Sequence, residues 1–268
     1  MIAPGSLPPI LPARSGHVLT VTMNRPDTRN ALSEHMMRLL QLTLDEAVED
    51  ESVRVIVLAA KGPAFSSGHD LKEMTGHRHD PDKGLAYYRA LFAQCSRLMQ
   101  TIVRHPKPVI AQVQALATAA GCQLVASCDL AVASTEARFA TPGVNIGLFC
   151  STPMVPLYRV VGTKRALEML LTGDMIDAVT ALEWGLVNRV VPAADLDAAV
   201  AELATRLTRS SSRVLALGKR AFWAQAGLTE AAAYALACPV MVGNAADADA
   251  DEGMRAFLAK RAPQWPTP

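Results

Sequence analysis

Two short segments carry the residues best suited to chemistry. One reads Ala64-Phe65-Ser66-Ser67-Gly68-His69-Asp70-Leu71-Lys72-Glu73-Met74, and the other Ala117-Thr118-Ala119-Ala120-Gly121-Cys122-Gln123-Leu124. Gly68 permits a tight turn that would aim the N–H of His69 outward. A helix beginning at Ala120 would offer free N–H groups at a dipole end that favours an anion. Two such donors suit an oxygen on which negative charge develops; a fixed backbone donor contributes roughly 2.7–4 kcal/mol there. Taken singly, each segment reads more readily as a glycine-bearing loop. Four further residues have chemical potential. Asn145 can hydrogen-bond a carbonyl or carboxylate, and turn chemistry is its competing reading. His77 and His79 can act as bases near neutral pH, against solvated loop histidines. Cys150 is a nucleophile only if its pKa is depressed.

The elements that must position these residues follow from periodicity and punctuation. His17 to Met23 alternates as a strand, and Ser33 is an N-cap for a helix to Asp50 with Met37, Leu40, Leu44 and Val48 on one face. Val53 to Ala60 and Val109 to Leu116 are apolar runs, expected of strands buried on both faces. Met74 to Gly84 is charged and aperiodic, which predicts a mobile loop, and Leu85 to Arg104 is a long amphipathic helix. A short helix over 120–127 leads into a strand over 130–134. Strand–loop–helix–strand alternation predicts an α/β layered domain. Helical patterns follow over 165–171, 178–184 and 195–209, with a short strand at 187–191. After Ser210 only helices are expected. Three regions result: a loose Pro-rich arm over 1–15, a core over 16–209 and a helical region over 210–268.

The chain has 268 residues, half of them hydrophobic, which permits one large core. The 26 Lys and Arg nearly balance the 25 Asp and Glu, so no global field favours nucleic acid or an anionic membrane. No apolar run is long enough to span a bilayer. The five cysteines form no CxxC or Cys/His ligand spacing, so no metal is expected. Buried free thiols and the lack of a signal-like N-terminus predict a cytoplasmic protein.

In combination the motifs resemble the crotonase (enoyl-CoA hydratase/isomerase) superfamily over residues 16 to 264. The resemblance rests on Asn30-Ala31-Leu32, the Phe65–Met74 stretch, Gly121-Cys122-x-Leu124 with Cys128-Asp129, and Phe139-Ala140-Thr141-Pro142. It continues in Ala181-x-x-x-Gly185-Leu186-Val187, in Val190-Val191-Pro192, and in Glu252-Gly253-Met254-x-x-Phe257-x-x-Lys260-Arg261. It implies a spiral of ββα units, a C-terminal helical region that builds trimers or hexamers, and a coenzyme A thioester as ligand, with no permanently bound cofactor. By the same matching, the N–H groups of His69 and Ala120 form an oxyanion hole for a thioester enolate. Thr28, Arg29 and Ser67 fall on the nucleotide side, Ser67 through its backbone. Phe257 and Lys260 fall where a neighbouring subunit contributes coenzyme A contacts.

The departures from the pattern are equally specific. Gln123 and Gly143 stand where hydratases of the family carry two glutamates. Gln has no titratable proton near neutral pH and Gly has no side chain, whereas a positioned acid or base contributes typically 10²–10⁴ in rate. In this respect the chain resembles the mitochondrial enoyl-CoA hydratase domain-containing branch, which lacks both carboxylates. Asn145, His77 and His79 are the available substitutes. The resemblance therefore implies a nominal hydratase/isomerase of fatty acid metabolism with weak or absent hydratase activity. Chemistry that needs only a polarised thioester, such as decarboxylation of a malonyl-type thioester, fits the residues, and so does a non-catalytic acyl-CoA binder. Restoring both glutamates should raise hydration, given room for two side chains.

Overall fold

The computed structural model describes residues 8–265. Ile10–Ser15 (β1) and Val18–Met23 (β2) form an antiparallel hairpin closed by Gly16 and His17, with Gly16 at φ +56°. A two-residue loop opening on glycine suits the strand twist. Residues 10–15 are thus an edge strand and not a loose arm. Pro12 concealed it in the sequence, yet proline is tolerated where one strand edge faces solvent; residues 1–7 lie outside the described residues.

Glu34–Glu49 (α1) is capped by the Ser33 hydroxyl, which accepts the Met36 N–H. It buries Met37, Leu40 and Leu44 as the periodicity requires, with Ala47 in place of Val48. Val55–Ala60 (β3) and Ala64–Ser66 (β4) follow. The segment expected to be a mobile loop is ordered instead. Asp70 caps Leu71–Gly76 (α2) through the N–H groups of Lys72 and Glu73, and His77–His79 continues as a 3-10 turn. Asp82 then accepts the N–H groups of Gly84 and Ala86 and starts Leu85–Arg104 (α3). Charge hid this segment's structure, because its two acids are spent locally, Asp80 on His77 and Asp82 on capping α3.

Next come Val109–Val113 (β5), Leu116–Thr118 (β6), Ala120–Ser127 (α4), Leu130–Ser134 (β7) and Arg138–Ala140 (β8). Met154–Val161 (α5), Thr163–Thr172 (α6), Ile176–Asp177 (β9), Ala178–Trp184 (α7), Arg189–Val191 (β10) and Leu196–Thr208 (α8) complete the core. The tail is Ser212–Gln225 (α9), Glu230–Ala245 (α10) and Ala248–Leu258 (α11).

Two sheets result. One runs β1-β2-β3-β5-β7-β10, parallel from β2 onward; the other runs β4-β6-β8-β9, parallel through β8. Successive pairs β3/β4, β5/β6 and β7/β8 each give one strand to each sheet, which is a repeating turn of α/β architecture. Strand β3 is apolar throughout because both its faces are covered. Val55 and Val57 pack with Leu196, Val200 and Ala204 of α8, while Ile56 and Leu58 enter the main core.

The tail is fastened to the core at its start. Lys219 donates to the Asp129 carboxylate at 2.6 Å and to the carbonyls of Ile102 and Lys107, and Asp129 also accepts the Val109 N–H at 2.7 Å. Beyond this anchor, α10 buries none of its residues.

Candidate functional site

The parallel order β4-β6-β8 brings three chain turns to one place. Ser67-Gly68-His69 leaves β4, Ala119-Ala120 leaves β6, and Pro142-Gly143 follows β8 shortly after. All three turns line one cavity of about 520 Å³, closed by Asn145 and by residues 146 and 148–153. The sequence-distant segments meet because adjacent parallel strands end side by side.

The approach of the first two turns is close. Gly68 has φ +87°, and a Cβ there would lie 2.9 Å from the Ala119 Cβ and 3.1 Å from the Ala120 nitrogen. A Cβ on Gly121 would lie 2.3 Å from the Ser66 carbonyl oxygen. Both glycines are therefore required for the strand-end loop to touch the start of α4. Ala119 is held at φ +49°, ψ −118°, with its N–H donated to the Ala140 carbonyl at 2.9 Å. A non-glycine residue there stores of order 1–3 kcal/mol. Among the turn and cap hydrogen bonds of the described residues, neither the His69 nor the Ala120 N–H finds an acceptor.

The Asn30 motif is structural. Its buried amide donates to the carbonyls of Lys61 and Ala64, each at 2.8 Å, and accepts the Arg25 N–H at 2.8 Å. This clamps the Thr28–Arg29 turn against β4. The Arg29 carbonyl accepts the Ser67 N–H at 3.0 Å, and the Ser67 carbonyl accepts the Thr118 hydroxyl at 3.1 Å. Thr28, Arg29 and Ser67 are thus assembled as neighbours. The Ser67 N–H is already used, which leaves only a lone pair of its carbonyl for a backbone contact.

The cavity holds no carboxylate, Lys or Arg; its titratable residues are His69 and Cys150. The His69 Nδ1–H donates to the Leu32 carbonyl at 3.3 Å, and the ring stands edge-on to Phe92 with centroids 5.5 Å apart. Burial holds the imidazole below its ordinary pKa, and Nε2 is buried without a partner, sealed from the cavity. Burial also pushes the Cys150 thiol up, opposite to what a nucleophile needs.

Gly143 lines the cavity, but a Cβ there would lie 2.7 Å from the Leu148 carbonyl oxygen and 3.0 Å from the Cys150 sulfur. The Gly143 carbonyl accepts the Leu148 N–H at 2.9 Å, which holds that backbone in place. The room expected for a restored glutamate is therefore absent. Gln123 does not line this cavity. It is buried, accepts the Cys95 thiol at 3.8 Å, and borders a second cavity that adjoins this one at Thr152. Of the expected substitutes, Asn145 lines the site. His77 does not: it pairs with Asp80 at 2.8 Å and stacks on Tyr87 at 3.8 Å. His79 is exposed on the 3-10 turn and also lies outside it. The two histidines are corrected as site residues, because the ordered turn holds them away. Phe257, 82 % exposed, and Lys260 are likewise outside the cavity. Phe92, Ile146, Leu148 and Phe149 supply apolar wall that no motif announced.

A family model described as enoyl-CoA hydratase/isomerase matches residues 13–268, and the chain belongs to this family, the crotonases. The human enoyl-CoA hydratase domain-containing protein 3, mitochondrial, is 47 % identical over 92 % of this chain and 80 % of its own length. A crystal structure of an enoyl-CoA hydratase from Mycobacterium smegmatis superposes with TM-score 0.92 at 49 % identity, covering 97 % of this chain and 99 % of that one. The crystal structure of the human domain-containing protein 3 gives TM-score 0.91 at 46 % identity, over 96 % and 100 %. The expectation of a cytoplasmic location is overturned by these relatives: those from rat, mouse, frog, human and zebrafish are all named mitochondrial. Free buried thiols and a balanced charge do not discriminate between reducing compartments, so composition had no power to decide.

Proposed function

We propose that the chain binds coenzyme A thioesters, polarises the thioester carbonyl with the N–H groups of His69 and Ala120, and hydrates enoyl thioesters weakly or not at all. The observation that carries this reading is a cavity with two free backbone donors and no carboxylate. Hydration needs a base to activate water and an acid to protonate the α-carbon. Neither is at hand, since Gln123 is an amide bordering the adjoining cavity and Gly143, without a side chain, is roofed by Leu148. Polarisation alone suffices for binding, and for reactions in which an enolate forms without proton removal. The non-catalytic binder is favoured by the same roofing of Gly143, which closes the place from which the second carboxylate would act.

Thr28, Arg29 and the Ser67 carbonyl supply the nucleotide side in this reading. Phe257 and Lys260 reach the ligand of a neighbouring subunit, so the native protein is a trimer or hexamer. Exposed Phe222, Tyr234, Met241, Val242 and Phe257 on the three tail helices support an assembly, because apolar surface of that extent marks interfaces. Calorimetry with acetyl-CoA, coenzyme A and a free fatty acid tests the binding: the thioester should bind best, and equal binding of the free acid would sink the proposal. A monomer in light scattering at micromolar concentration would remove the assembly.

A further inference from the structure

The cavity bordered by Gln123, about 280 Å³, shares Thr152 with the thioester cavity. It lies between α3, α4, α5 and α9, with apolar wall from Met99, Val103, Val155 and Trp223. Gln123 is only 3 % exposed, and its one hydrogen bond engages the amide oxygen. Its amide nitrogen has no protein acceptor among the described residues and is left for whatever occupies the cavity. That nitrogen reaches the cavity surface, where water or an acceptor on a ligand can satisfy it.

Two arginines from different helices border the same cavity at its exposed side: Arg104 from α3 and Arg159 from α5. Neither is in an ion pair among the described residues. Arg159 donates only to the Val155 carbonyl of its own helix, at 2.6 Å. No Asp or Glu lines the cavity. The cavity is thus apolar along its walls, positive, and equipped with a spare amide donor. Guanidinium groups recognise carboxylates by paired, charge-assisted hydrogen bonds.

We propose that this second cavity receives the far end of the acyl group, and that the preferred ligand is the monothioester of a dicarboxylic acid. The carboxylate is held by Arg104 and Arg159 while the thioester sits at His69 and Ala120. The inference rests on the thioester reading above and names its substrate class. It also gives Gln123 a task that a glutamate would oppose, since a carboxylate there would repel the ligand.

Hexanoyl-CoA and adipoyl-CoA, chains of equal length ending in methyl or carboxylate, separate the possibilities in calorimetric titration of the native assembly. Adipoyl-CoA should bind at least about tenfold more tightly, as hydrogen bonds to charged groups allow. The advantage should shrink as salt is raised. Arg104→Met combined with Arg159→Met should abolish it, bringing adipoyl-CoA to the affinity of hexanoyl-CoA, and the fold should survive because both side chains are exposed. Equal affinity for the two thioesters overturns the inference alone, as does a preference that survives the double substitution. Failure of both thioesters to bind overturns the thioester reading together with it.

Discussion

Gly143→Glu, which the resemblance implies would restore a glutamate, should destabilise the protein without creating a hydratase. A Cβ at this position meets the Leu148 carbonyl oxygen at 2.7 Å and the Cys150 sulfur at 3.0 Å. The first of these is backbone and cannot rotate aside. Overpacking of this kind costs about 1–3 kcal/mol. Movement of the loop to relieve it breaks the 2.9 Å hydrogen bond from the Leu148 N–H to the Gly143 carbonyl, about 1 kcal/mol more. The expected loss is about 2–4 kcal/mol, or about 4–8 °C in melting midpoint for a chain of this length. Gly143→Ala should show most of that loss, because the clash begins at Cβ. Thermal melts of both variants, paired with crotonyl-CoA hydration rates, test the reasoning. Adding Gln123→Glu should not rescue activity, since that side chain borders the other cavity. A Gly143→Glu variant that melts with the parent protein, or a double variant that hydrates crotonyl-CoA more than about 10² faster, would refute the clash at Leu148.

Three further outcomes follow from buried groups. His105 donates from Nε2 to the Leu44 carbonyl and accepts the Lys107 N–H at Nδ1; burial, helped by the nearby Lys219 charge, holds its pKa below the ordinary value against these hydrogen bonds. Protons therefore bind the unfolded chain first, and stability should fall as pH drops below about 6.5, by at most about 1.4 kcal/mol per pH unit for this group; His105→Gln should flatten that slope in denaturant titrations. Lys219→Met strands the Asp129 carboxylate and should cost about 3–5 kcal/mol, with much of it recovered by adding Asp129→Asn, as measured in urea; an unchanged midpoint for Lys219→Met would show the pair to be idle. Cys122, pushed up to about 12 by burial, and Cys150 should resist iodoacetamide at neutral pH in mass spectra of the native protein and react once it is denatured.

The sequence made the long periodic elements legible. Ser33 and its apolar face announced α1, and the Pro106–Pro108 punctuation set off α3 from β5. The small sheet was not legible, because β4, β6 and β8 have three residues each and no room for a period to show. That sheet nevertheless assembles the site. The paired glycines marked the two loops, and family resemblance fixed which N–H groups to consider. The direction of Gln123 and the roof over Gly143 were hidden, since both depend on packing against segments elsewhere in the chain. Asp129 stood within a recognised motif, but its partner Lys219 lies in a helix that nothing local connects to it.

The central claim is that the His69 and Ala120 N–H groups polarise a bound thioester. Isotope-edited infrared difference spectra of butyryl-CoA carrying carbon-13 at the thioester carbonyl measure this directly. Hydrogen bonding by both donors predicts a carbonyl band at lower frequency than in water, returning toward the aqueous position when Gly68→Ala displaces the His69 turn from α4. A band at or above its aqueous frequency in the native complex would contradict the account.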